Sequence, residues 1–161
     1  MERRFEQFDN LLKKFENGEK LPSEAIETWV ETLGDYFEEG LIGIPPRECA
    51  KGIKNMGETA KEPLRKQLRH KDVNRRRGAA SVLGYIETDA SAELLGETLG
   101  DQHAAVRFYA ADALSRLGPY AEKKLPVLKN ALSKEEDEVT KEKINYALKS
   151  IEPNPSEDFN G

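Results

Sequence analysis

A single cysteine, Cys49, means that no intramolecular disulfide can form, which fits a reducing compartment. Long apolar runs are missing too. No stretch approaches the ~18 apolar residues of a membrane span. The opening residues, MERRFEQFDNLLKKF, lack the apolar segment of a secretory leader. A soluble, cytoplasmic protein with no membrane contact is expected. Strand signals are nearly absent, because apolar residues recur at three and four rather than at two. There is no glycine-rich phosphate loop and no GxSxG. The two histidines, His70 and His103, have no cysteine or carboxylate partners at metal-ligand spacing. Cys49 has no support for a Cys–His nucleophile pair and reads as a small buried hydrophobe. These absences leave no enzyme and no cofactor to expect.

Charge is what the chain has in quantity. Charged residues make up 34% and hydrophobic ones 37%, a polar balance that suits an elongated fold with much surface. The net charge of −5 argues against nonspecific nucleic-acid binding by the whole molecule. Positive charge is nevertheless concentrated. Residues 61–77 hold eight cations (Lys61, Arg65, Lys66, Arg69, Lys71, Arg75, Arg76 and Arg77) against Glu62 and Asp72. That segment therefore carries +6, and the remainder of the chain −11.

Glycines and prolines divide the chain into pieces of helical length, and the pieces repeat. RRRGAASVLGYIE (75–87) and VRFYAADALSRLG (106–118) share a small residue at offset +4, Ala79 and Ala110. Both place apolar residues at +7, +8 and +11. TKEKINYALKSIE (140–152) does the same, as does PPRECAKGIKNMG (45–57) with Cys49, Gly52, Ile53 and Met56. The +8 residues are Ile53, Leu83, Leu114 and Leu148, spaced by 30, 31 and 34. A partner helix precedes each, with its own register. It ends at Phe37, Leu68, Leu99 and Leu132, with Leu33, Leu64, Leu95 and Leu128 four residues earlier, and its steps are 31, 31 and 33. Two registers sharing one period predict four helical hairpins, about 23–56, 58–86, 89–118 and 119–151. One hairpin has too little apolar surface to fold alone, so stacking into a solenoid over 23–151 is expected.

VRFYAADALSRLG resembles the second helix of a HEAT-like repeat, of the short type also found in phycobiliprotein lyases. The third unit carries that pattern best, with Asp101, Val106, Arg107, Ala110, Ala113, Leu114 and Gly118. The second keeps Arg76, Ala79, Leu83 and Gly84. The fourth has Thr140 and Lys141 for Val-Arg, and the first has Pro45-Pro46. The resemblance implies an all-α, right-handed solenoid with the second helices on its concave side. It also implies that Arg76 and Arg107 join a ladder with turn aspartates. HEAT-type deoxyhypusine hydroxylases need paired His-Glu motifs, and neither histidine here precedes a glutamate.

Residues 1–18 form an amphipathic helix with Phe5, Phe8, Leu12 and Phe15 on one stripe, expected to cap the solenoid. The tail 152–161, EPNPSEDFNG, is acidic and expected to be disordered. On a second helix, offsets +2, +6 and +9 point away from the apolar stripe. They gather Arg47, Lys51, Lys54; Arg77, Ser81, Gly84; Phe108, Asp112, Ser115; and Glu142, Tyr146, Lys149. A protein-binding adaptor is expected, gripping an acidic or mixed-charge segment. Arg47, Lys51, Lys54, Arg76 and Arg77 would supply electrostatics, and Phe108 and Tyr146 apolar anchors. The alternative is nucleic-acid binding through 61–77, as in HEAT-like alkylpurine DNA glycosylases. A chromophore-lyase subunit ranks third. In RHKDVNRRRG, Asp72 or Asn74 should start a helix whose three arginines face a positive helix end. That placement needs either an acid, such as Glu62 or the acidic C-terminal half, or a use, with Arg77, Lys51 and Lys54 forming one cationic surface.

Overall fold

The computed structural model describes residues 2–19, 21–22, 24–30, 51–54 and 60–152. Arg47, Cys49, Phe37, Met56, residues 153–161 and the side chains of Phe5, Phe8 and Leu12 lie outside the described residues.

The described chain is helical, with no strand among the described residues. Helix α1 (Glu2–Glu16) ends in a Schellman turn. Gly18 adopts φ +77°, its N–H donates to the Phe15 carbonyl at 2.9 Å, and the Glu19 N–H reaches Lys14 O at 3.0 Å. Leu11 and Phe15 pack, half-buried, against the core. Residues 24–30 and 51–54 are helical. The regular hairpins follow: α2 (Lys61–Leu68) with α3 (Val73–Leu83), α4 (Asp89–Thr98) with α5 (Ala104–Leu117), and α6 (Leu125–Lys134) with α7 (Glu138–Ile151).

Short polar side chains start the second helices. Asp72 caps α3, accepting from Asn74 N at 2.8 Å, and Asp137 caps α7, accepting from Thr140 N at 2.8 Å. At α5 the cap is the His103 imidazole, whose Nδ1 accepts from Ala105 N at 3.3 Å. Thr88 caps α4. Gly118, at φ +53°, ends α5.

The two registers are the core. Ile53, Leu83, Leu114 and Leu148 are buried, as are Leu64, Leu95 and Leu128, and Leu132 packs half-buried beside them. Each fully buried leucine contributes roughly 1.5–3 kcal/mol. Successive second helices pack α3 on α5 and α5 on α7. Gly84 shows how close they come: a Cβ there would lie 2.7 Å from Ala113 Cα. Stacked hairpins sharing one continuous core make the chain an all-α solenoid.

The longer last step also has a structural cause. A 3₁₀ segment, Gly118–Lys124, precedes α6 and packs Ala121 into the core. A groove of about 590 Å³ lies between α4 and α6, lined by Gly96, Gly100, Val127, Ala131 and the Arg107 and Glu135 side chains.

Candidate functional site

The basic stretch resolves first. Arg76 does not face a partner surface. Its side chain is 7% exposed. Its guanidinium donates from Nε and Nη2 to the Asp101 carboxylate at 2.8 and 3.1 Å, and from Nη1 to the His70 and Lys71 carbonyls. Arg107, one unit later, donates from Nε and Nη2 to Glu135, both at 2.6 Å, and from Nη1 to Asp101 O. Each arginine thus clamps its own turn by backbone carbonyls and reaches the acid of the next turn. The partner of Arg76 is therefore Asp101, one unit on, and a glutamate fills that role for Arg107. The Arg107 hydrogen bonds hold the Glu135 carboxyl below the usual range, against the opposing effect of burial. Glu135 in turn raises Arg107.

The acids of this ladder also organise their turns. Asp101 accepts from His103 N, and Glu135 from Asp137 N, both two residues on. His70 takes the corresponding place in the second unit, its Nδ1 accepting from Asp72 N at 3.0 Å. In the sequence, the preceding unit has Pro46 where Arg76 and Arg107 stand later.

The remaining cations of 61–77 are partly spoken for. Arg65 pairs with Glu62, Arg69 with Glu97 at 3.5 Å, and Arg75 with Glu27 of the first unit at 3.6 Å. The acids that the sequence leaves out of sight around Arg75 and Arg76 therefore come from neighbouring units on both sides. RHKDVNRRRG is a turn, an Asp72 cap and a buried ladder arginine.

A continuous feature runs along the second helices instead. Arg77 donates to Asn74 Oδ1 at 2.9 Å and lies 5.2 Å from the centroid of Tyr109. Tyr109 meets Phe108 edge-on at 5.5 Å. Arg116 lies 4.6 Å over the Tyr85 ring, donates to Ser81 O at 3.2 Å and bonds Asp112. Lys143 of α7 donates to the same Asp112 carboxylate at 2.9 Å and sits 5.1 Å from both the Phe108 and Tyr146 rings. Three cations, four aromatics and one acid therefore interlock across α3, α5 and α7. Cation–aromatic contacts of this kind hold a charge in place without neutralising it.

Arg77, Phe108, Asp112 and Tyr146 of this strip stand on the +2 and +6 rows that the helical wheel selects, and its other four residues do not. Ser81 and Gly84 are buried under α5, and Phe108 and Asp112 meet Lys143, so the +2, +6 and +9 rows lie at the seam with the following unit. A second helix in a solenoid has neighbours on both sides, which narrows its open arc. Tyr85 and Arg116 at +10, and Tyr109 and Lys143 at +3, complete the strip beside that direction. Tyr146 belongs to the same row as Ser81 and Asp112 but is 58% exposed. Lys51 and Lys54 are exposed, and Lys54 lies 3.9 Å from Glu87.

Among the described residues, no group of three His, Cys, Asp or Glu side chains could hold a metal ion. No described helix is long and apolar enough to cross a membrane. A family model of HEAT repeats matches residues 48–149. No curated protein matches the chain.

Proposed function

The chain belongs to the HEAT-repeat family, whose repeats generally mediate protein interaction, and from that premise we propose a non-enzymatic cytoplasmic adaptor that holds an acidic or mixed-charge segment of a partner protein on its second-helix face. One observation carries this reading: Arg77, Arg116 and Lys143 are fixed on Tyr85, Phe108, Tyr109 and Tyr146 across three helices, with Asp112 the one acid among them. Such a face carries net positive charge in a chain that is acidic overall. Prepositioned cations raise on-rate and select an acidic partner, and the rings, Tyr85, Phe108 and Tyr109 half-buried and Tyr146 exposed, supply contact area at low entropy cost. Lys51 and Lys54, exposed on the first unit, extend the positive field.

Nucleic-acid binding through 61–77 has less support. Arg65, Arg69, Arg75 and Arg76 all have acidic partners, and Arg76 is buried. The test is selection from a displayed peptide library, alongside titration with single-stranded and duplex oligonucleotides across salt. Binders should be enriched in Asp and Glu and should be lost on Arg77→Glu combined with Lys143→Glu. Basic or uncharged binders, or micromolar oligonucleotide binding with a steep salt slope, would overturn the adaptor reading.

A further inference from the structure

The last second helix repeats a stacking face and has no described neighbour to stack on. In α3 the row Arg77, Ser81, Gly84 is covered by α5, through Tyr109, Arg116 and Ala113. In α5 the corresponding Phe108 and Asp112 are met by Lys143 of α7. In α7 the same offsets bring Glu142, Tyr146 and Lys149, all exposed. Tyr146 is 58% and Val139, one turn beyond Glu142, 61% exposed. No ion pair is formed by Glu142 or Lys149 among the described residues, whereas nearby Lys141, Lys143 and Lys129 pair with Glu138, Asp112 and Glu152.

The order of charges on this face has a symmetry. Glu142 and Lys149 are seven residues apart, two helical turns, and so share one side of α7. Their midpoint falls between Asn145 and Tyr146. If a second α7 crosses antiparallel at that midpoint, Glu142 of each copy faces Lys149 of the other, and the two Tyr146 rings meet at the centre. A two-fold interface needs such self-complementarity: whatever residue i meets, the same meeting recurs with the copies exchanged. A parallel or head-to-tail pairing of the same face would bring no such matched pair.

We propose that this face joins two copies of the chain, α7 antiparallel to α7 about a two-fold axis near Tyr146. The pairing shares Tyr146 with the adaptor strip, but its charges, Glu142 and Lys149, lie outside that strip, so the two readings can fail separately. One helix pair buries less than the roughly 1,200–2,000 Å² of a stable interface. The dimer is therefore weak, forming at tens to hundreds of micromolar, and it loosens with salt because its charges are exposed.

Sedimentation equilibrium of the full chain up to about 500 μM, at low and high salt, tests this, since a contact of this size forms only at such concentrations. A monomer–dimer equilibrium that weakens with salt is expected. Glu142→Lys and Lys149→Glu should each reduce dimerisation at least tenfold by setting like charges opposite each other, and the double swap should restore it. Tyr146→Ala should abolish it. Circular dichroism should stay unchanged in all four variants, since these side chains are exposed in the monomer. Monomer at every concentration, growth beyond a dimer without a plateau, or failure of the double swap to rescue would each overturn the proposal. Binding of acidic peptides to the single variants Glu142→Lys and Lys149→Glu, which leave every residue of the strip in place, reads the adaptor function separately.

Discussion

Removing the Glu135 carboxylate strips the Arg107 guanidinium of two short hydrogen bonds and its counter-charge. The reverse change, Arg107→Ala, leaves a carboxylate that is 2% exposed without its partner. Breaking a buried pair from one side costs about 3–5 kcal/mol. Arg107 is partly open to solvent, so a loss of about 2–4 kcal/mol is expected for either change, read as a lowered midpoint in urea. Glu135 also sets a pH dependence. Its folded pKa lies below its ordinary value of about 4.3, so its stabilisation is present above that value. It disappears as pH falls through the folded value. Glu135→Gln should therefore flatten the acid side of a stability–pH curve while lowering its neutral plateau. A variant curve parallel to wild type below pH ~4.5 would exclude this assignment. At Gly84 the constraint is steric. A Cβ there would stand 2.7 Å from Ala113 Cα and from Arg116 Nη2. Gly84→Ala should cost about 1–3 kcal/mol by forcing α3 from α5, although alanine favours helix elsewhere. A thermal melt at or above wild type would show that the helices do not approach as closely as the structure has them.

At the scale of the element, much of the fold was legible. Leu64, Leu68, Leu83, Leu95, Leu99 and Leu114 fall in two interleaved registers, and those registers are the buried core. The Asp72 cap was legible because a short carboxylate before a run of helix formers has few other uses. Asp72→Ala should destabilise by about 1 kcal/mol, with α3 amides near Asn74 and Arg75 losing hydrogen-exchange protection first. The cation–aromatic strip was less legible, for a geometric reason. A wheel drawn for one helix places every non-apolar row in solvent. Here Ser81 and Gly84 are small because α5 covers them, and Asp112 is acidic because Lys143 arrives from another hairpin. The ladder hid similarly. Arg76 sits 25 residues before Asp101, and only the stacking distance between units makes them neighbours. The alternation of Tyr85, Tyr109, Arg116 and Lys143 at +10 and +3 was the available signal.

For the molecule as a whole, the ladder sets how strongly one unit is tied to the next. Arg76–Asp101 joins the second unit to the third, and Arg107–Glu135 the third to the fourth. Between the first and second, the two ladder places are held in sequence by Pro46 and His70, which cannot make that pair. The described ion pairs across that junction, Arg75–Glu27 at 3.6 Å and Lys54–Glu87 at 3.9 Å, are open to solvent, a type worth about 0–1 kcal/mol each. Trp29, buried against Gly52, belongs to the first unit. Stability in stacked repeats is approximately a sum of nearest-neighbour couplings, so denaturation should begin there: Trp29 fluorescence should change at lower urea than the overall helical signal, and coincident transitions would argue against it. Restoring the pair with Pro46→Arg and His70→Asp should bring the two transitions together. Under a stretching load applied at the chain ends, the guanidinium clasps act as rivets in a row with the first one missing. The force–extension trace should show an early low-force rip releasing the Trp29 unit, followed by a larger rupture of the riveted remainder.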